Sequence, residues 1–310
     1  MEPVVNEPIA SLFAKKHVTI LVTDSGLGGL SIFAEIAARL KSDPIFPDVS
    51  LIYYNAWPEQ HRGYHGLKDT DERIRVFDRA LEGMKRYQPD IIMIACNTLS
   101  ILYDRTAFSH GEVIPVINIV GFGVDMVYEH LSREADATAV MLGTVTTITS
   151  DVHRSRLIEK GISPDRLVVQ SCDQLPTKIE KGPDSDAVVQ LTDTFMSQAV
   201  EMLGQHRSRL FAALFCTHFG YAQEFIREKL ECLTGRRISI LDPNRRMAAY
   251  LFEISGGNRY DRATVDLRVV SRVVWDQTKI DAISKIVTAQ SAETAQALRN
   301  YEWLPDLFTF

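Results

Sequence analysis

Two cysteines follow short apolar runs in the same way. Residues 91–95 are all apolar and lead into Cys96-Asn97-Thr98, and residues 211–215 lead into Cys216-Thr217-His218. The two thiols stand 120 positions apart (216 − 96). A thiol becomes a useful base when a neighbouring group takes its proton. The repeated pattern therefore predicts two related strand–helix units, each offering one thiol for proton transfer.

A third polar segment, Asp24-Ser25-Gly26-Leu27-Gly28-Gly29, follows the apolar run at 17–23. Its glycines predict a tight turn whose backbone N–H groups can approach an anion at the start of a helix. Asp24 is placed to orient the proton of Cys96, and His218 that of Cys216. Inversion of a carbon centre requires two such bases on opposite faces, one to remove the proton and one to return it. Candidates for stabilising the enolate-like charge are Asn97, Thr98, Thr217 and Ser25.

Other catalytic and ligand-binding motifs are excluded because residues that they require are missing. Ser31 stands where the dinucleotide fingerprint G-x-G-x-x-G needs its last glycine, and Thr23 stands where a serine-hydrolase elbow needs its first. No lysine follows the glycines as a phosphate-binding P-loop requires, and neither cysteine begins a C-x₅-R phosphatase loop. Cys216 and His218 lack the spacing and the second ligand pair of a zinc site.

The three segments, taken in order, resemble the signature segments of glutamate racemase and of the wider aspartate/glutamate racemase superfamily, over roughly residues 17 to 255. The resemblance implies two similar doubly wound α/β domains with mostly parallel sheets, related by pseudo-two-fold symmetry, with the active site between them. It implies catalysis without pyridoxal phosphate or a metal, a homodimer, and a role in supplying D-amino acid for peptidoglycan precursors. The expected domains are residues 1–115 with 224–310, and residues 116–223.

The resemblance also assigns roles to residues. It makes Cys96 and Cys216 the paired acid/base groups, supported by Asp24 and His218. The residues expected to bind substrate are Ser25, Asn97, Thr98, Thr144, Thr217, Arg62 and Gly63.

Two positions depart from the family pattern. Arg62-Gly63 stands where glutamate racemases usually carry Tyr-Gly, and Gly121-Phe122-Gly123 stands at their Glu-Pro-Gly segment, so the carboxylate that supports the second histidine is expected to be missing. Arg62 could instead bind a substrate carboxylate with both arms of its guanidinium. The leading prediction is racemisation of glutamate. The alternatives are aspartate or another small carboxylate as substrate, and a binding protein that has lost turnover.

Strand-like and helix-like segments alternate along the chain, which predicts βαβ units and an open parallel sheet. The predicted strands are 17–23, 49–54, 90–95, 113–119, 137–143, 166–170, 211–215 and 237–240, with a further one at 264–274. The predicted helices are 31–41, 70–86, 147–160, 184–203, 222–233 and 276–301. Residues 174–183 read as a surface loop. The part after Gly257 reads as an appendage on a completed core, or as a contact for another subunit.

Composition narrows the class of protein. The 310 residues carry 34 Lys and Arg against 40 Asp and Glu, a net charge of −6 that does not favour nucleic-acid binding. Neither a membrane-spanning run nor a signal peptide is evident, so a soluble cytoplasmic protein is expected. Cys172 and Cys232 are expected to be core residues. Five histidines are expected to be solvated, namely His61, His65, His110, His130 and His153.

Overall fold

The computed structural model describes residues 7–111, 113–203 and 209–310, with side chains from residue 9 onward. The strands of these residues are β1 (His17–Asp24), β2 (Asp48–Asn55), β3 (Ile91–Ile94), β4 (Val116–Asn118), β5 (Ala137–Gly143), β6 (Leu167–Ser171), β7 (Arg209–Phe215), β8 (Ile238–Leu241), β9 (Thr264–Ser271) and β10 (Glu302–Trp303). The helices are α1 (Glu7–Leu12), α2 (Leu30–Ser42), α3 (Thr70–Met84), α4 (Asn97–Tyr103), α5 (Phe108–Gly111), α6 (Ile119–Arg133), α7 (Val145–Thr149), α8 (Val152–Glu159), α9 (Leu175–Ile179), α10 (Asp186–Glu201), α11 (Gln223–Thr234), α12 (Pro243–Ser255), α13 (Gln277–Thr288) and α14 (Ala292–Arg299). Short 3₁₀ helices lie at Tyr64–Gly66, Lys85–Tyr87, Pro164–Arg166 and Thr217–Ala222.

The strands form two parallel sheets. The first has the order β10-β9-β2-β1-β3-β4, and the second has the order β6-β5-β7-β8. All strand pairs in both sheets are parallel. β3 and β5 are buried at every residue, which agrees with their mostly apolar sequences. The prediction of an α/β fold with parallel sheets is confirmed.

The four strands around each thiol are connected in the same order. In the first sheet they run β2-β1-β3-β4, and in the second they run β6-β5-β7-β8. In each sheet the chain adds its second strand on one side of the first and its third strand on the other side. The direction of winding therefore changes between β1 and β3 in the first sheet and between β5 and β7 in the second. Cys96 follows β3 and Cys216 follows β7, so both thiols stand at a switch point, where open α/β sheets bind ligands. The internal correspondence read from the sequence is therefore present in the topology.

The chain divides into two compact units, one of residues 1–118 with 244–310 and the other of residues 119–243. The predicted return of the chain to the first domain after residue 223 differs from the observed one, which comes after residue 243. The reason is β8, which pairs with β7 over four register positions and so carries α11 into the second unit. The strand predicted at 113–119 is also shorter, because Ile119 already begins α6.

The segment after Gly257 is not an appendage. β9 pairs with β2 along its whole length, from Asp48↔Thr264 to Asn55↔Ser271, and β10 pairs with β9. The segment therefore completes the first sheet instead of lying on it. The single helix predicted at 276–301 is two helices, α13 and α14, because Ser291 accepts a hydrogen bond from the Thr294 N–H and starts α14 anew.

Three further expectations need correction. The helix predicted at 147–160 is broken between α7 and α8, where Asp151 adopts a left-handed φ of 56°. Cys232 is exposed, although Cys172 is buried as expected. His153 is 3% exposed and stacks on Phe215 with ring centroids 4.1 Å apart, so it is not solvated. In the described part of the chain, none of the helices has the length and apolar character needed to cross a membrane.

Candidate active site

The first thiol stands beside the turn that leaves β1. β1 and β3 pair through Thr23↔Ile94, so the next residues along bring Ser25 level with Cys96. The Ser25 Oγ lies 3.2 Å from the Cys96 Sγ. Asp24 is fully buried, and its Oδ1 accepts a hydrogen bond of 3.0 Å from the Gly26 N–H. The sheet register therefore brings together Asp24, Ser25 and Cys96, as predicted from the sequence.

Opposing effects act on the Cys96 thiol. Burial raises its pKa, and the negative charge of Asp24 raises it further. Hydrogen bonds from the Ser25 hydroxyl and from the backbone N–H groups of Leu99 and Ser25 favour the thiolate and act in the opposite direction. Burial and charge outweigh them, so the pKa of Cys96 lies well above its usual range. At neutral pH Cys96 is therefore a protonated thiol.

The glycine turn allows a close approach to Asp24. A Cβ added to Gly29 would lie 2.9 Å from Asp24 Oδ2 and 3.0 Å from the Ala95 Cβ. Real Cβ atoms do not come so close to a backbone-anchored carboxylate, so a glycine is required here. α2 begins at Leu30, directly after this glycine.

The second thiol has a different proton partner. Gly143 on β5 pairs with Phe215 on β7, which brings Thr144 level with Cys216. His218 lies in the 3₁₀ helix that follows, and its Nδ1 is 3.6 Å from the Cys216 Sγ. Its other nitrogen, Nε2, is 2.7 Å from Glu180 Oε1. Cys216, His218 and Glu180 are all buried and form a continuous chain of polar contacts.

The charge state of His218 follows from these contacts. Burial alone would lower its pKa, because it disfavours the imidazolium. The hydrogen bonds to Cys216 and Glu180 have the opposite effect and together raise the pKa of His218 well above its usual range. His218 therefore carries its proton at neutral pH, stabilised by the Glu180 carboxylate on one side and adjacent to the thiol on the other.

The expectation that the histidine lacks a supporting carboxylate is wrong. Glu180 supplies one from the segment 174–183, which was expected to be a surface loop. That segment contains α9, and Glu180, which directly follows this helix, is 5% exposed. The sequence signal was the pair Leu175 and Ile179, since apolar residues four apart indicate a helical turn with one buried face. An acidic residue directly after such a turn could have been recognised as a buried candidate.

Four of the residues expected to bind substrate lie just after strands. They are Asn97 and Thr98 after β3, Thr144 after β5 and Thr217 after β7. Thr144 caps α7, its Oγ1 accepting a 3.1 Å hydrogen bond from the Thr147 N–H. The two threonine hydroxyls are 3.0 Å apart, and Thr147 is buried, so it is a further polar group of this site that sequence reasoning missed. The buried polar residues that directly follow the two cysteines are Asn97, Thr98 and Thr217.

Arg62 and Gly63 lie in the loop after β2. The Arg62 guanidinium donates two hydrogen bonds to the Glu59 carboxylate, at 2.8 and 2.9 Å, and lies 3.8 Å from Glu72. Its bidentate geometry is therefore used within the loop. Gly63 packs under the Trp57 indole, where an added Cβ would lie 2.4 Å from a ring carbon. Within residues 7–111, 113–203 and 209–310, no cluster of three or more His, Cys, Asp and Glu side chains is arranged to hold a metal ion.

Comparison with known proteins gives a consistent result. Residues 20–243 match the model of the family described as Asp/Glu/hydantoin racemase. The glutamate racemase of Persephonella marina is 26% identical over 240 residues, covering 76% of this chain and 81% of that protein. The glutamate racemase of Campylobacter jejuni is 31% identical over 141 residues, covering 45% of this chain and 52% of that protein. A crystal structure of glutamate racemase from Francisella tularensis, in complex with D-glutamate, has a TM-score of 0.65 at 21% identity, covering 88% of this chain and 95% of that one.

Proposed function

Because its residues 20–243 match the family model, the chain belongs to the Asp/Glu/hydantoin racemase family, and we propose that it interconverts L- and D-glutamate. The observation that carries this proposal is that both units end an equivalent strand in a buried thiol with its own polar partner. Ser25 contacts Cys96 in one unit, and His218 contacts Cys216 in the other. Glutamate is favoured over other amino acids because the relatives that match most of this chain are glutamate racemases.

In the proposed mechanism, Cys96 and Cys216 act on the same α-carbon. The thiolate of one cysteine removes the α-proton, and the thiol of the other delivers a proton to the opposite face. The electron pair of the broken C–H bond is held as an enolate-like charge on the substrate carboxylate and returns to the carbon when the second proton arrives. Polar groups fixed before the reaction stabilise such a charge without reorganising. Asn97, Thr98, Thr144 and Thr217 are proposed for this role.

The two thiols are activated differently. Cys96 depends on the Asp24 carboxylate to take its proton and on the Ser25 hydroxyl to stabilise the thiolate. Cys216 depends on His218, because the imidazolium that Glu180 keeps protonated stabilises the Cys216 thiolate. Glu180 therefore removes the main argument for a relative that has lost turnover, since the histidine does have its carboxylate. A mechanism that needs two reduced thiols favours a reducing compartment, so we propose that the activity is cytoplasmic. We also propose a homodimer, as the family resemblance implies.

The test is proton exchange in D₂O. The purified protein, incubated with L- or D-glutamate, is expected to give the opposite enantiomer with deuterium at the α-carbon. Cys96→Ser and Cys216→Ser are each expected to lose racemisation, and any exchange that remains should affect opposite enantiomers in the two variants. Cys232→Ser is the matched control, because Cys232 is exposed on α11 and should be dispensable. Full racemisation by either active-site variant would contradict the two-thiol mechanism. Inversion of aspartate but not glutamate would change the substrate and leave the mechanism standing.

A further inference from the structure

Three buried polar residues stand side by side at the carboxyl end of the first sheet. Asp24 on β1 pairs in register with Asn55 on β2, and Asn55 pairs with Ser271 on β9. All three have 0% exposure. Buried polar side chains are retained at a cost unless they are hydrogen-bonded. The hydrogen-bond partners of these three side chains therefore indicate their role.

Asn55 holds the turn that carries Asp24 and Ser25. Its Nδ2 donates a 2.9 Å hydrogen bond to the Gly26 carbonyl, and the Tyr53 hydroxyl donates a 2.7 Å hydrogen bond to the same oxygen. The N–H of Gly26 in turn donates to Asp24 Oδ1 at 3.0 Å. Both backbone polar groups of Gly26 are therefore used, one to fix the turn to β2 and the other to hold the Asp24 carboxylate.

Ser271 and Gly26 bind opposite ends of the Asn55 amide. The Asn55 Oδ1 accepts a 3.2 Å hydrogen bond from the Ser271 hydroxyl, which also lies 3.0 Å from the Val273 carbonyl and accepts a 3.1 Å hydrogen bond from the Val273 N–H. The two ends of an amide have nearly the same shape but opposite hydrogen-bonding roles. Only the orientation with Oδ1 toward Ser271 leaves an N–H group facing Gly26. The reversed amide would place the Asn55 Oδ1 against the Gly26 carbonyl oxygen, and both atoms can only accept hydrogen bonds.

We propose that Ser271 is a positioning residue for the catalytic turn and acts on Asp24 and Ser25 through Asn55 and Gly26. Ser271 lies beyond residues 20–243, the range that matches the family model. The last part of the chain thus contributes to the site through a hydrogen-bond relay as well as through strand pairing. The effect on racemisation depends on the function proposed above, whereas the relay itself does not.

The test combines single variants with a double-mutant cycle. Ser271→Ala is expected to lower kcat/KM for glutamate by about fivefold to tenfold, the effect of one net hydrogen bond, and Ser271→Thr should retain most of the activity because it keeps the hydroxyl. Asn55→Ala should cause a similar loss, and Ser271→Ala should add nothing in that background. Ser284→Ala is the matched control, a fully buried serine on α13 whose hydroxyl has no hydrogen-bond partner among the described residues. If Ser271→Ala causes the same additional loss in both backgrounds, Ser271 does not act through Asn55 and the proposal fails.

A second measurement does not require racemisation. Loosening the turn displaces both Asp24, whose charge raises the pKa of Cys96, and Ser25, whose hydrogen bonds lower it, so the rate at which iodoacetamide alkylates Cys96 at a given pH should change by about threefold or more. Peptide mass spectrometry resolves each cysteine, and the exposed Cys232 serves as the internal reference. An inactive wild-type protein with an altered rate of Cys96 alkylation in Ser271→Ala would reject the proposed function and keep the relay. Unchanged alkylation in Ser271→Ala would reject the relay, whatever the activity.

Discussion

Glu180 Oε1 lies 2.7 Å from His218 Nε2, with both side chains more than nine-tenths buried. The carboxylate directly follows α9, and the histidine lies in the segment after β7, 38 positions later in the chain. A buried ion pair of this kind is costly to break from one side, because the remaining charge is left without a partner. The pair keeps the imidazole protonated and fixes the nitrogen that faces Cys216.

Replacement of Glu180 should therefore impair proton transfer at Cys216. We expect Glu180→Gln to lower kcat/KM by roughly tenfold to a hundredfold, the effect of one charge-assisted hydrogen bond. The loss must be equal for both enantiomers, because the equilibrium between them is unity. Without the negative charge the pKa of His218 falls, so the limb of the pH–rate profile that depends on it should move to lower pH. Glu201→Gln, on the exposed end of α10, is the control and should leave the profile unchanged.

The same pair makes stability depend on pH in a defined direction. The folded-state pKa of His218 is raised, so its contribution is complete below the unfolded value of about 6.5 and is lost as pH rises through the folded value. Urea unfolding measured between neutral and alkaline pH should show a decline that is smaller in Glu180→Gln than in the wild type. An equal decline in both proteins would show that the pair does not control the titration of His218.

The titration of His153 should make stability depend on pH in the direction opposite to that of His218. Burial lowers its pKa to about 3, and it stacks on Phe215, the residue before Cys216. A lowered folded pKa means that stability is lost as pH falls below about 6.5, by about 2 kcal/mol at about pH 5. His153→Phe should lose less stability between neutral pH and that point, as measured by urea unfolding. His110→Phe, at an exposed position, should behave like the wild type.

Gly29 is expected to tolerate no side chain. The Cβ of Gly29→Ala would lie 2.9 Å from Asp24 Oδ2, so the carboxylate or the turn must move. Overpacking of this kind costs about 1–3 kcal/mol, and here it displaces the carboxylate that we propose takes the proton of Cys96. We expect kcat/KM to fall by at least about tenfold while the protein remains folded. Gly111→Ala is the control, because a Cβ there meets no atom of the other described residues within 4 Å. Normal activity in Gly29→Ala would show that the position of Asp24 is not critical.

Arg62 tests the identity of the substrate-binding residues. Its guanidinium is already paired with Glu59, and the side chain is 41% exposed. A surface ion pair of this kind contributes about 0–1 kcal/mol, so Arg62→Ala should change stability little. We expect the KM for glutamate to change by less than about threefold, since bidentate pairing is satisfied within the loop. A large rise in KM, with kcat unchanged, would instead support the prediction that Arg62 binds a substrate carboxylate.

The sequence alone was sufficient for the local features of this protein. Uninterrupted apolar runs predicted the buried parallel strands β3, β5 and β7, because a strand covered on both faces has no polar side. The cysteines and their neighbours directly follow such strands, so periodicity and residue type located Asp24, Cys96, Cys216 and His218 without coordinates. Their shared place after a strand was a local property of the chain.

Only the tertiary structure decided which distant residues meet. Glu180 reaches His218 from a segment that looked like a loop, and Ser271 reaches Asn55 across 216 positions through strand pairing. β9 reads as a strand in the sequence, but its place beside β2 depends on sheet order, which periodicity does not encode. Asp151 and Ser291 divide predicted helices because a left-handed residue and a new cap interrupt an otherwise helical pattern. Hydrogen bonds between residues remote in sequence depend on how the strands are ordered, and that order is set by the packing of the whole sheet.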